Sequence, residues 1–123
     1  MLTFAQSVKI YATVGNEEKA EYLVETFGIP REHIFNSHDS SFVPDIMHAT
    51  NGRGVDIVLN SLGGKLLHAS WDCVASFGKM IEIGRRDLLS HGMLSMSPFL
   101  EDRSFHGVYL ANVSKNRPDI VAG

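Results

Sequence analysis

The sequence is short of several things at once. It has one cysteine, Cys73, and four prolines in 123 residues. A lone thiol cannot form an internal disulfide, which fits a reducing, cytoplasmic setting. No apolar run approaches the roughly 18 residues that suggest a membrane span. Met1 to Gln6 lacks the basic start and long apolar stretch of a signal peptide. Basic runs are missing too: 11 Lys and Arg stand against 14 Asp and Glu, a formal net charge of −3. With no cationic surface to displace counterions, a nucleic-acid partner is not expected. The remaining composition is that of a folded domain. Hydrophobic residues make up 44% and charged residues 20%, enough apolar surface to exclude a disordered chain.

Chemical motifs are equally scarce. Six histidines, at 33, 38, 48, 68, 91 and 106, form no ligand pair at i, i+4 with a third donor in evident reach, so no metal site is expected. There is no P-loop and no full Gly-x-Gly-x-x-Gly. Asn60-Ser61-Leu62-Gly63-Gly64 only superficially resembles a nucleophile elbow, because Leu59 stands where that turn needs its first glycine.

What the chain does have is rhythm. Five strand-like runs rich in β-branched and aromatic residues begin at positions 9, 33, 55, 79 and 104. They are Lys9 to Val14, His33 to Asn36, Val55 to Asn60, Lys79 to Ile83 and Ser104 to Leu110. The spacing suits a strand, a helix and two loops per unit and is too long for tight hairpins. The first intervening segment has Asn16 as cap and Glu17 and Glu18 in the first turn. Ala20, Leu23, Val24 and Phe27 form one apolar stripe, and Gly28 and Pro30 end it. A second helix is expected from Ser40 or Ser41, with a serine capping it, to just before Gly52. A third is expected from about Gly64 to Phe77, and Pro98 suits the first turn of a short helix. Alternation of this kind implies an α/β fold with a parallel sheet, right-handed crossovers, and ligands at the carboxyl ends of the strands.

The residues after the strands are therefore the candidates. The first strand ends without the acid that would hold the ribose 2′-hydroxyl of NAD, and Lys19 lies nearby, which favours NADP on a dinucleotide fold. A glycine turn, a cap and a surface lysine explain the same residues. Ser37, His38, Asp39, Ser40, Ser41 and Phe42 suit an adenine or ribose pocket, although capping of the next helix explains Ser40 and Ser41 equally well. After the fourth strand, Arg85 and Arg86 could meet a phosphate or a reacting carbonyl, or simply be solvated.

Taken together, Tyr11-Ala-Thr-Val-Gly-Asn-Glu-Glu-Lys19, Phe27-Gly-Ile-Pro-Arg-Glu-His-Ile-Phe35, Ser40-Ser-Phe42, Gly52-Arg-Gly-Val-Asp-Ile-Val-Leu-Asn-Ser-Leu62, Leu67-His-Ala-Ser-Trp71 and Glu82-Ile-Gly84 carry a resemblance. The chain resembles the enoyl reductase domain of fungal highly reducing polyketide synthases, within the medium-chain dehydrogenase/reductase superfamily. The resemblance implies NADPH-dependent reduction of an acyl-carrier-bound α,β-unsaturated thioester, with the other synthase domains as partners and no zinc. By position, it implies that Thr13, Gly15, Asn16 and Lys19 contact the adenosine ribose and its 2′-phosphate. Ser37, His38, Asp39 and Phe42 would flank adenine. Asn60, Ser61 and Leu62 would approach the ribose and nicotinamide, with Ile83 and Gly84 beside the nicotinamide and Arg85 as the catalytic candidate. Relatives often carry Lys at that position as a proposed proton donor. Arg holds an oxyanion but does not give up its proton, its pKa lying above about 12. A second candidate donor in the animal fatty acid synthase, an Asp just after the last strand, is Ala111 here.

The resemblance also implies a partial Rossmann-like, doubly wound sheet. In the family a strand and a Gly-rich turn precede the helix that ends near Gln6, and the sheet order is 3-2-1-4-5-6. The five strands here correspond to 2 to 6, so residues 1–123 are expected to be part of an NADPH-binding subdomain. Its central strand, Gly-rich loop and substrate-binding domain would be absent. The flanking strands would stand about 9–10 Å apart, twice the usual spacing. Such a fragment is expected to be inactive alone and open to self-association. The alternatives are a piece of a free-standing quinone-reductase-like enzyme and a non-catalytic interaction module of the same fold.

Overall fold

The computed structural model describes residues 8–122; Met1 to Gln6, read above as the tail of a helix, lie outside them. The sequence rhythm translates into two parallel sheets rather than one. β1 (Ala12–Val14) pairs with β2 (Ile34–Asn36), Thr13 opposite Phe35. β3 (Val55–Asn60), β4 (Val74–Glu82) and β5 (Ser104–Gly107) form the second sheet in that order. This is a partial Rossmann-like arrangement. Among the described residues no strand joins β1 to β3.

Helix α1 (Glu17–Phe27) connects β1 to β2 through the expected signals. Asn16 Oδ1 accepts the Lys19 N–H at 2.8 Å, and Gly28, at φ 68°, returns its N–H to the Val24 carbonyl. Ala20 is buried there with Ile29 and Ile34 against β1 and β2. Helix α2 (Phe42–Ala49) runs between the two sheets in sequence, and α3 (Lys65–Asp72) joins β3 to β4. Phe42 and Ile46 of α2 pack on Ala69 and Cys73, with Phe35 of β2 and Val55 of β3 against the same cluster. A second cluster gathers Leu67, Trp71, Val74 and Met80 under Phe99 and Phe105. Beyond β4 come the single turn α4 (Arg86–Leu89) and a 3₁₀ turn, Ser97–Glu101, with Pro98 at its start as expected. After β5 come α5 (Leu110–Asn116) and α6 (Pro118–Ala122).

Four expectations need correction. The first strand is confined to Ala12–Val14, and the last ends at Gly107, so that Leu110 opens α5. The third helix stops at Asp72 instead of Phe77. The apolar stripe does continue to Val74, but the Val55 N–H donates to the Cys73 carbonyl at 2.8 Å and draws the chain onto the sheet. β4 then absorbs the excess: pairing passes from Val55–Val74 to Ile57–Lys79, and Phe77 bulges out exposed at φ 64°. Finally, Ser41 sits at the head of α2 without a side-chain cap; Asp39 Oδ1 accepts the Ser41 N–H instead.

Between β1 and β3 lies a trough of about 1040 Å³. Ile10 and Tyr11 line one wall, Ile57 and Leu59 the other, and Phe42 and Ile46 of α2 also border it. Ile57 and Leu59 are 66% and 68% exposed, so their face of β3 has no cover among the described residues. No helix of the described residues is long and apolar enough to cross a membrane.

Candidate functional site

All the residues singled out above except Phe42 lie at or just beyond the carboxyl ends of strands, and they fall into two groups. The first is built on β1 and β2. Ser37 N–H donates to the Val14 carbonyl at 2.9 Å, so the loops after the two strands run side by side. Asn36 Oδ1 accepts the His38 N–H at 2.5 Å. A Cβ built on Gly15 would stand 3.9 Å from His38 Cε1, which brings Gly15 and His38 together. Asn16 is occupied as the cap of α1, and Lys19 is exposed one turn further on. Hydrogen bonds from the Ser41 side chain and N–H hold the Asp39 carboxyl below the usual range, and this carboxyl orders the turn into α2. Phe42 lies in the core cluster, 2% exposed, and meets the trough only at its edge.

The second group is built on β3 and β4 and is more tightly tied. Asn60 and Glu82 are the last residues of their strands and stand opposite each other in register. Glu82 is 2% exposed. Its Oε2 accepts from Asn60 Nδ2 at 2.5 Å and its Oε1 from the Gly84 N–H at 2.7 Å. Asn60 Nδ2 also donates to the Leu62 carbonyl at 2.8 Å, and the Ile83 N–H to the Asn60 carbonyl at 2.9 Å. Gly84 is there because nothing larger fits: a Cβ would meet Glu82 Oε1 at 2.7 Å and the Ser61 carbonyl oxygen at 3.0 Å. A second tie runs from the Gly64 N–H to Asp87 Oδ2 at 2.9 Å, with the Arg86 side chain laid against Gly63 and Gly64. Arg85 is exposed and makes no ion pair among the described residues.

No hydrogen bond joins the two groups among the described residues; Leu62 and Phe42 meet only through the apolar cluster under α2. Thr13 borders the trough from one side, and Asn60, Ser61 and Leu62 border it from the other. Sequence reasoning missed Glu82 and Asp87. Glu82 carried a readable signal, being in phase with Met80 on the inward face of its strand; Asp87 carried none.

A parallel sheet with ligand loops at its carboxyl ends is common to many enzymes, and likeness to known proteins narrows the choice. The profile described as zinc-binding dehydrogenase matches residues 1–121. The chain belongs to that family. Its sequence is 60% identical over 112 residues to a highly reducing polyketide synthase of Fusarium, covering 91% of the chain. It is 62% identical over 109 residues, 89% of the chain, to another from Glarea lozoyensis. It spans only 4% of the length of each synthase. Among solved structures, it is similar to the nucleotide-binding subdomain of the enoylreductase domain of PpsC from Mycobacterium tuberculosis. There the TM-score is 0.80 and the identity 30%, over 95% of this chain and 65% of that one. The CurK enoyl reductase is similar at TM-score 0.73 and 29% identity, over 98% and 35% of the two chains.

The family's name raises the question of zinc. Among the described residues no three His, Cys, Asp or Glu side chains gather as an ion would need. The single thiol, Cys73, is buried, and burial followed by the charge of Asp72 pushes its pKa up to about 11. Thiolate is the form that binds metal, so these residues do not fit a zinc centre.

Proposed function

We propose that this chain is the cofactor-binding part of an NADPH-dependent enoyl reductase that reduces carrier-bound α,β-unsaturated thioesters in polyketide biosynthesis. The observation that carries the reading is the pair of loops after β3 and β4, held together at the carboxyl end of a parallel sheet by Glu82 and Asp87. Ligands of open parallel sheets bind at that end. The cofactor, when bound, supplies the hydride that goes to the β-carbon. The chain's own residues would bind and orient it. Gly15 and His38, with Thr13, Asn16, Ser37 and Asp39 on the same two loops, would take the adenosine end. Phe42, expected to flank adenine, supports the loop from the core. Lys19 would answer the 2′-phosphate, since β1 ends without an acid. Asn60, Ser61, Leu62, Ile83 and Gly84 would take the nicotinamide end. Arg85 would hold negative charge developing on the thioester oxygen, a task its always-charged fork suits, while leaving proton donation to another group.

In this reading residues 1–123 are a partial subdomain, the other synthase domains are its partners, and its setting is the cytoplasm. Weak cofactor binding by the isolated chain follows, because no described element is a pyrophosphate turn at a helix N-terminus. Fluorescence titration of the purified chain should show NADPH preferred over NADH, no saturation at micromolar concentration, and loss of the preference in Lys19→Ala. Equal response to both nucleotides would refute the NADPH assignment, and micromolar saturation would refute the partial site.

The trough favours a second reading, a non-catalytic interaction module that self-associates through the open edges of β1 and β3. Light scattering on the purified chain separates the two. A monomer at all concentrations argues against the module.

A further inference from the structure

Glu82 is a buried carboxylate that the proposed chemistry does not use. We infer that it is a positioning residue, which sets the nicotinamide-end loops at a fixed separation and makes their backbone, rather than their side chains, the ligand surface. The inference rests on the cofactor reading above and names the device that shapes that site.

Its geometry leaves little freedom. Each carboxylate oxygen takes one donor from a different loop, Asn60 Nδ2 at 2.5 Å and the Gly84 N–H at 2.7 Å. Asn60 in turn spends its other amide hydrogen on the Leu62 carbonyl, so the loop Asn60–Leu62 curls back onto its own strand end. Only a side chain with two acceptor oxygens satisfies both donors, Asn60 Nδ2 and the Gly84 N–H. An amide in its place would turn an NH₂ toward one of them. Asn60 is fixed for the complementary reason: it must donate twice, which a carboxylate cannot do. The small Gly84 then lets the Ser61 backbone approach to contact distance. The Ser61, Leu62 and Gly63 N–H groups have no hydrogen-bond acceptor among the described residues. The Asn60–Glu82–Gly84 tie fixes the loop that carries these three N–H groups, with the Ser61 backbone against Gly84. Such a loop would present fixed donors to a neutral, polar ring substituent such as a carboxamide. Hydrogen bonds to a carboxylate are among the stronger ones, and a buried one that loses a donor is costly, so the tie is stiff.

The test uses the ¹⁵N-labelled full chain, with NADPH added to millimolar concentration, and follows every backbone amide and the Asn60 side-chain NH₂. In the unsubstituted chain, NADPH should shift Ser61, Leu62 and Gly63 together with Gly15 and Lys19. In Glu82→Gln, the first set should lose its response while the second keeps it. Without any ligand, hydrogen exchange at Gly84 should rise about tenfold, the order expected for one lost hydrogen bond to a carboxylate. Glu82→Asp, which keeps the charge but falls short of spanning both donors, should give an intermediate response. An unchanged NADPH pattern in Glu82→Gln overturns the inference and leaves the cofactor reading standing. So does a global collapse of the spectrum in both variants, since that makes Glu82 a fold element only. No response of any amide in the unsubstituted chain overturns the cofactor reading and the inference with it.

Discussion

Replacing Trp71 by phenylalanine should loosen the whole segment between β4 and β5 while leaving the nicotinamide-end loops in place. Trp71 is fully buried, its indole N–H donates to the Ser95 carbonyl at 3.1 Å, and its ring meets Phe99 and Phe105 with centroids 5.1 and 5.6 Å away. The phenyl ring keeps the aromatic contacts in outline. It leaves a void of about 40 Å³, worth about 1 kcal/mol at about 24 cal/mol per Å³. The lost hydrogen bond adds about 1 kcal/mol, at the low end because Ser95 is exposed and its carbonyl can turn to water. The total is about 2 kcal/mol. With an unfolding entropy of about 2.1 cal/mol/K per residue, a chain of this length loses about 8 °C in Tm. Trp71→Ala removes the packing as well and should cost about 3–5 kcal/mol. Calorimetry gives the Tm, and hydrogen exchange should show residues 92–103 opening before β3 and β4. A drop below about 3 °C for Trp71→Phe, or exchange that rises uniformly over the sheet, would show that Trp71 does not tether this segment.

Three further outcomes follow from local geometry. Gly54→Ala should cost more than about 2 kcal/mol in a urea melt, because Gly54 sits at φ 86° and its Cβ would come within 2.6 Å of the Cys73 carbonyl oxygen. Asn16→Ala removes the α1 cap seen at 2.8 Å and should cost about 1 kcal/mol in the same assay, whereas Asn16→Asp should keep it. Cys73 has its pKa raised by burial from 9.0 to about 11, so the unfolded chain ionises first. Stability attributable to this thiol is intact below about pH 9 and declines as pH rises toward 11, and native Cys73 should resist a thiol reagent at pH 8 until denaturant is added. Prompt labelling of the folded chain would contradict that burial.

How much could be read beforehand depended on whether the deciding interaction was local. The ends of α1 were legible because Asn16 and Gly28 act within one turn of themselves. All of β3 was legible because its six residues are β-branched, apolar or paired, with a glycine turn before them. The boundary between α3 and β4 was not. The helical stripe of Leu67, Trp71 and Val74 is real, but a bond from Val55, some 18 residues upstream of Cys73, overrides it. The head of α2 failed for a subtler reason. A capping Ser41 would accept an N–H two or three residues on, but the Val43 N–H goes to the Ser40 carbonyl and Pro44 has none to give. Of the site, the strand-end loops were legible from the topology of parallel sheets, whereas the ties between them join residues 22 and 23 apart and appear only when β3 and β4 are paired.

The division of the site follows from the division of the sheet. Each group of loops is held by its own pair of strands: Thr13 to Asp39 by β1 and β2, Asn60 to Arg85 by β3 and β4. Their relative placement rests on α2, whose Phe42 and Ile46 reach Phe35 of the first sheet and Val55 of the second through one apolar cluster. In the proposed reading a dinucleotide bridges both groups, so its affinity would depend on how rigidly that cluster and the contents of the trough fix the distance between them. Binding that must first order two half-sites spends part of its energy on the ordering. In that reading the two half-sites are each ordered locally, and the link between them is the eight-residue helix α2.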